Sequence, residues 1–110
     1  MTTGFQHQSL AAGRWFNFSL AEQLGNIGSE VGRTLRAKGD EKRFESAAIR
    51  ALELFDLTIS DPRWRKRLKE ITRAREIFCD VVFGSAEYGI SLEDLDRYFY
   101  YFAYAARAKR

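Results

Sequence analysis

Apolar positions along the chain recur at steps of three and four, and four such stripes divide residues 19 to 110 between them. The first holds Leu20, Leu24, Ile27, Val31 and Leu35. An α-helix turns about 100° per residue, so these positions share one face. Ser19 and Glu22 precede the run at capping-box spacing, the hydroxyl taking an orphan N–H while the carboxylate reaches back. Lys38-Gly39-Asp40 supplies a stop, so helix one is predicted from Ser19 to about Ala37.

A second stripe, Phe44, Ala48, Ala51, Phe55 and Ile59, predicts helix two over Glu41 to Ile59. In Ser60-Asp61-Pro62 an Asp suited to an N-cap precedes a proline suited to the first helical position, so helix three opens at Pro62. Its stripe is Trp64, Leu68, Ile71, Phe78 and Val82, closed by Gly84. Ser91 and Asp94 repeat the cap logic before Leu92, Leu95, Phe99, Phe102 and Ala106 in helix four. No stretch alternates with period two long enough to compete as a strand. Short connections make neighbouring helices antiparallel, and the expected fold is all-α, an antiparallel up-down four-helix bundle over residues 19–110 behind an irregular segment, residues 1–18.

Two patterns exceed what the stripes need. Helix one carries Ala21, Gly25, Gly28 and Gly32 on a second narrow face. Each glycine costs about 1 kcal/mol in a helix interior relative to alanine, which implies an offsetting close approach of another backbone. Ala47, Ala48 and Ala51 of helix two are the expected partners. The second half of helix two, ALELFDLTI, is apolar on nearly every side, so it needs cover from more than one direction. That cover is either another subunit, which makes Leu54 and Leu57 interface candidates, or the N-terminal segment over a central helix.

Composition narrows the class. A chain of 110 residues, 45% hydrophobic and 15% aromatic with a single proline, builds one folded domain. The lone Cys79 forms no intramolecular disulfide or zinc site and reads as a small core residue, and the opening MTTGFQHQSL lacks a signal-peptide pattern. Apolar runs are too short to cross a bilayer, so a cytoplasmic protein that does not enter the membrane is expected.

Charge adds a direction. The net charge is +3, but residues 62 to 84 hold seven basic and three acidic residues while residues 38 to 61 hold four and six. Arg63, Arg65, Lys66, Arg67 and Lys69 crowd the start of helix three, where cations oppose the helix dipole. Phosphate gives such a cluster a purpose, because Lys and Arg neutralise it and release counterions. A solvated face, or ion pairing with the acidic second helix, is the competing account. Arg75 falls on the stripe of helix three and needs a carboxylate, for which Glu30, Glu53 and Asp56 are candidates.

The C-terminal helix is crowded with rings, six of the seven residues from Tyr98 to Tyr104 being aromatic. Phe99 and Phe102 face inward with Leu95. Tyr98, Tyr100, Tyr101 and Tyr104 fall on the flanks and back, where a ring with a polar tip suits a partner-covered surface, and Tyr98, Tyr101 and Tyr104 are the interface candidates. Arg107, Lys109 and Arg110 follow them, a mixture that also suits nucleic acid.

Catalytic material is scarce. The only histidine is His7, Glu-x-x-His pairs are absent, and no Gly-rich phosphate loop is followed by Lys-Ser/Thr. No enzyme, metal or cofactor is therefore expected. The stretches SLAEQLGNIGSEVGR, ALELFDLTISDPRWRKRLKEITRAREIFCDVVFG and YFYYFAYAAR resemble a family of short bacterial proteins, mostly uncharacterised. In size, charge and helical type the chain is also similar to the accessory variability proteins of diversity-generating retroelements. That similarity implies a homo-oligomer holding a reverse transcriptase or other polymerase and its structured RNA. The resulting expectation is a non-enzymatic, self-associating, nucleic-acid-binding bundle. The alternative is a protein–protein interaction module or antitoxin-like subunit that binds no nucleic acid.

Overall fold

The side-chain caps expected at Ser19, Asp61 and Ser91 all form, and Asp40, expected only as part of a stop, caps as well. In the computed structural model, which describes residues 13–84 and 87–108, Ser19 Oγ accepts from Glu22 N at 3.1 Å and Glu22 Oε1 accepts from Ser19 N at 2.8 Å. This reciprocal box starts α1 (Leu20–Arg36). Asp40 accepts from Arg43 N to start α2 (Glu41–Ile59). Ser91 and Asp94 exchange two bonds, at 3.0 and 3.1 Å, ahead of the last helix. The chain is all-helical, with α3 (Leu68–Phe83) and α4 (Leu92–Ala108) completing four α-helices and no strand among the described residues.

The start of helix three differs from the expectation. Asp61 caps Arg63 N and Pro62 stands at the first position, but residues Pro62–Arg67 wind as a 3₁₀ helix with a kink at Trp64 (φ −102°, ψ 23°). A 3₁₀ helix turns every 3 residues and an α-helix every 3.6, so the stripe loses phase across the junction. Leu68, read as core, is consequently 36% exposed, whereas Ile71 and Phe78 remain buried.

The expected irregular segment lies outside the described residues up to position 12, but its last six residues have structure. Arg14–Asn17 form a 3₁₀ turn after Gly13, whose φ of 124° suits glycine. Trp15 within it is fully buried and heads the largest enclosed side chains. Its indole N–H donates to Thr58 Oγ1 across the end of α2. The cover for apolar helix two is thus the chain's own N-terminal turn, the second of the two alternatives. Leu54 and Leu57 are 2% and 8% exposed inside this single-chain core, which removes both from the interface candidates.

Phe55 stands at the centre, with ring centroids 5.9 Å from Phe78 of α3 and 5.8 Å from Phe99 of α4. The glycine face of α1 does meet a close neighbour, though not the alanines of α2. Ala47, Ala48 and Ala51 are buried, yet the helix that lies over the glycines is α4. A Cβ on Gly25 would stand 3.0 Å from Ala103 Cα, one on Gly28 would be 2.6 Å from Phe99 Cβ, and one on Gly32 would be 3.0 Å from an Asp96 carboxylate oxygen. Residue numbers rise along α1 as they fall along α4, so this pair is antiparallel. Arg75 takes Asp56, one of its three candidate partners, at 2.9 Å, but its side chain is a third exposed rather than buried.

No helix among the described residues is long and apolar enough to cross a membrane. The glycine packing gives a sharp test. Gly28→Ala should gain helix propensity of about 1 kcal/mol, yet the clash with Phe99 should leave the protein less stable by about 1–3 kcal/mol. Urea denaturation measures the balance, and a variant more stable than the parent would disprove the close approach of α1 and α4.

Candidate nucleic-acid interface

The five cations at positions 63 to 69 divide into two roles. Arg63 is structural: its guanidinium forks onto Asp61 at 2.7 Å, donates to the carbonyl of Phe18 at 2.8 Å and lies 4.3 Å from the Trp64 ring centroid. Arg67 is held by Glu70 on the next turn, at 2.7 and 2.9 Å. Arg65, Lys66 and Lys69 are exposed, with no ion-pair partner among the described residues. Pairing with the second helix, one half of the competing account, does not occur for these three among the described residues, while their exposure is equally what the other half, a solvated face, requires.

A buried amide sets this division. Gln23 has no exposed surface, and its side-chain N–H groups donate to Trp15 O at 2.9 Å and Asp61 Oδ2 at 3.1 Å. Its oxygen accepts from Trp64 Nε1 at 2.9 Å. Trp64 is therefore drawn inward and Arg63 is tied back. The residues beyond them, Arg65, Lys66 and Lys69, are left exposed to solvent. Arg63, by its hydrogen bonds, holds the Asp61 carboxyl below its ordinary value, against an opposing effect of burial, with a further contribution from Gln23.

The second group of predicted residues is less concentrated. Arg107 is exposed and borders a groove of about 300 Å³ beside Gly25, Phe99 and Tyr100. Lys109 and Arg110 lie outside the described residues. Tyr101 and Tyr104 are 65% and 59% exposed. Tyr100, placed on the same flanks but not chosen as an interface residue, is 57% exposed and meets Tyr101 edge-on at 6.2 Å. Tyr98 is spent inside the chain: its hydroxyl donates to Glu70 at 2.9 Å, and burial followed by that bond pushes its phenol up to about 12. Arg67 and then Tyr98 keep Glu70 ionised below the ordinary carboxylate value.

Four arginines escaped the sequence reading. Arg33 and Arg36 of α1 and Arg43 and Arg50 of α2 line one groove of about 430 Å³. Their spacings, three and seven residues, place each pair on one face of its helix. That the two faces meet depends on the turn at residues 37–40, which periodicity alone does not orient. Cys79 is half-buried, its sulfur within 3.8 Å of Arg75. Among the described residues no group of His, Cys, Asp or Glu is placed to hold a metal ion.

Compared with protein-family profiles, curated proteins and solved structures, the chain matches none. The site is accordingly read from its own geometry.

The Asp61 junction makes stability depend on acidity. Because the folded carboxyl sits below its ordinary value of 3.8, its contribution is complete above that value and is lost as pH falls through the folded one. Asp61→Asn should therefore lower the urea midpoint near pH 7 and flatten its decline toward about pH 3. Parallel pH profiles for the two proteins would show that the carboxylate does not hold the junction.

Proposed function

We propose that the protein is a non-enzymatic, cytoplasmic nucleic-acid-binding accessory that self-associates and works with a polymerase such as a reverse transcriptase on structured RNA. In this reading its helices take an antiparallel up-down order. The observation that carries it is the exposed trio Arg65, Lys66 and Lys69, clear of carboxylates among the described residues and mounted on a rigid junction. Cations held apart from internal partners add nothing to the fold by pairing, and they suit a phosphate backbone. Arg63 leaves the group of contacts because Asp61 and Phe18 occupy it, and Arg67 is held by Glu70. Tyr101 and Tyr104 are the exposed rings that suit contact between copies.

A second reading draws on the same tyrosines. Exposed rings on one helix also fit a docking surface for a different protein, in the manner of an antitoxin-like subunit without nucleic acid.

Salt separates the readings. Three phosphate contacts predict a log–log slope of affinity on salt of about −2 to −3, and Arg65→Glu/Lys66→Glu/Lys69→Glu should weaken RNA binding at least about tenfold at low salt. Fluorescence anisotropy on a hairpin RNA measures both. An affinity that ignores salt and the triple reversal leaves the protein-docking reading in place. Light scattering tests the interface: Tyr101→Ala/Tyr104→Ala should reduce the mass of the assembly toward that of one chain. An unchanged mass removes these rings from self-association.

A further inference from the structure

Four arginines that the proposed interface does not use converge on the groove between the end of α1 and the first half of α2. Arg33, Arg36, Arg43 and Arg50 line it with Ala37, Ser46 and Ala47, and no carboxylate is among the lining residues. The space is about 430 Å³, within the ~300–1,000 Å³ of small-molecule sites.

The fold accounts for part of this charge. Glu30, 5% exposed, accepts from Arg33 at 2.8 Å and from Arg50 at 3.3 Å, so these two neutralise a buried carboxylate. Arg33 and Arg36 also lie in the last turn of α1, where cations complement the helix dipole. Arg43 is different. It sits in the first turn of α2, where a cation opposes the dipole, and its one ion pair, with Asp40, is loose at 3.7 Å between exposed side chains. Arg36 makes no ion pair among the described residues. Its guanidinium lies over Gly32, at the edge shared with the neighbouring groove that holds Asp96 and Arg107, and forms no ion pair with the Asp96 carboxylate.

Two guanidinium groups are thus fixed in the wall, Arg50 being steadied further by its bond to Ser46 at 2.8 Å. Two more stand beside them, Arg36 without an ion pair among the described residues and Arg43 with only the loose one to Asp40. Guanidinium forks match the paired oxygens of a phosphoryl group, and several around one groove repel each other until an oxyanion fills it. We propose that this groove is a second phosphate-binding site, in which Arg36 and Arg43 grip the oxyanion and Arg33 and Arg50 frame it. It is separate from the Arg65–Lys69 face, since Gln23, which anchors that face, and Arg36 stand about 20 Å apart along α1. The phosphate comes from a free phosphorylated molecule or from a nucleic-acid backbone. The site does not rest on the RNA-binding reading.

The test follows the arginine Nε–H resonances of the full chain during titration with inorganic pyrophosphate and, separately, with a short single-stranded RNA lacking a terminal phosphate. Arg36 and Arg43 signals should move, and Arg36→Ala/Arg43→Ala should weaken the titrated ligand at least tenfold. The triple reversal at 65, 66 and 69 should leave pyrophosphate binding unchanged. A response to pyrophosphate identifies a free phosphoryl ligand. A response to RNA alone identifies backbone phosphate. If neither ligand moves the Arg36 and Arg43 resonances of the unmutated protein, the site does not exist. The unmutated titration decides this even where the double variant fails to fold.

Discussion

The side-chain amide of Gln23 is the constraint on which this fold and its surface depend. A buried amide stripped of water is costly unless its donors and acceptor find partners. Here both donors and the acceptor are used, on Trp15, Asp61 and Trp64. Those partners come from the N-terminal turn and from the 3₁₀ helix with its Asp61 cap, so one residue of α1 fixes two other segments. The 3₁₀ winding of Pro62–Arg67 follows, because Trp64 turns inward to reach the amide. Exposure of the cations beyond it follows in turn.

At the opposite flank, the glycines of α1 set the position of α4. Phe99 crosses the backbone at Gly28 and is fully buried against Phe55. Burying such a ring contributes about 1.5–3 kcal/mol, which offsets much of the intrinsic cost of helical glycine. With Phe99 pinned inward, helical geometry sends Tyr100, Tyr101 and Tyr104 outward. The aromatic surface is thus a by-product of where one phenylalanine is seated, and the cationic surface of where one tryptophan is.

The starts of α1 and α4 were legible in the sequence because caps are local chemistry, Ser19 with Glu22 and Ser91 with Asp94 acting over three residues, whereas Asp61 with Pro62 marks a 3₁₀ turn and α3 begins only at Leu68. The inward stripes of α1 and α4 were legible for the same reason. What failed was non-local. The glycines announce a close neighbour but do not name it, and α4 rather than α2 fills the space. Leu54 and Leu57 looked surplus only while Trp15 was assigned to an irregular segment. Gln23, a polar residue beside an apolar stripe, reads as surface until its three partners are seen. Among the site residues, charge density located the cluster at 63 to 69, but only the geometry separates Arg63 and Arg67, which hold the chain, from Arg65, Lys66 and Lys69, which face outward.

The docking of Trp15 has a consequence for how the molecule closes. Its contact with Thr58 spans 43 positions of sequence, a loop whose closure entropy grows with the logarithm of its length. Once α1 and α2 have paired, however, Asp61 already lies at Gln23, and the open span shrinks to the 8 positions between Trp15 and Gln23. The turn therefore seats on a preformed helical hairpin as a short plug. With the hairpin formed, seating the fully buried Trp15 costs the entropy of a short loop rather than a long one, so the largest enclosed ring of the core is added at little topological expense.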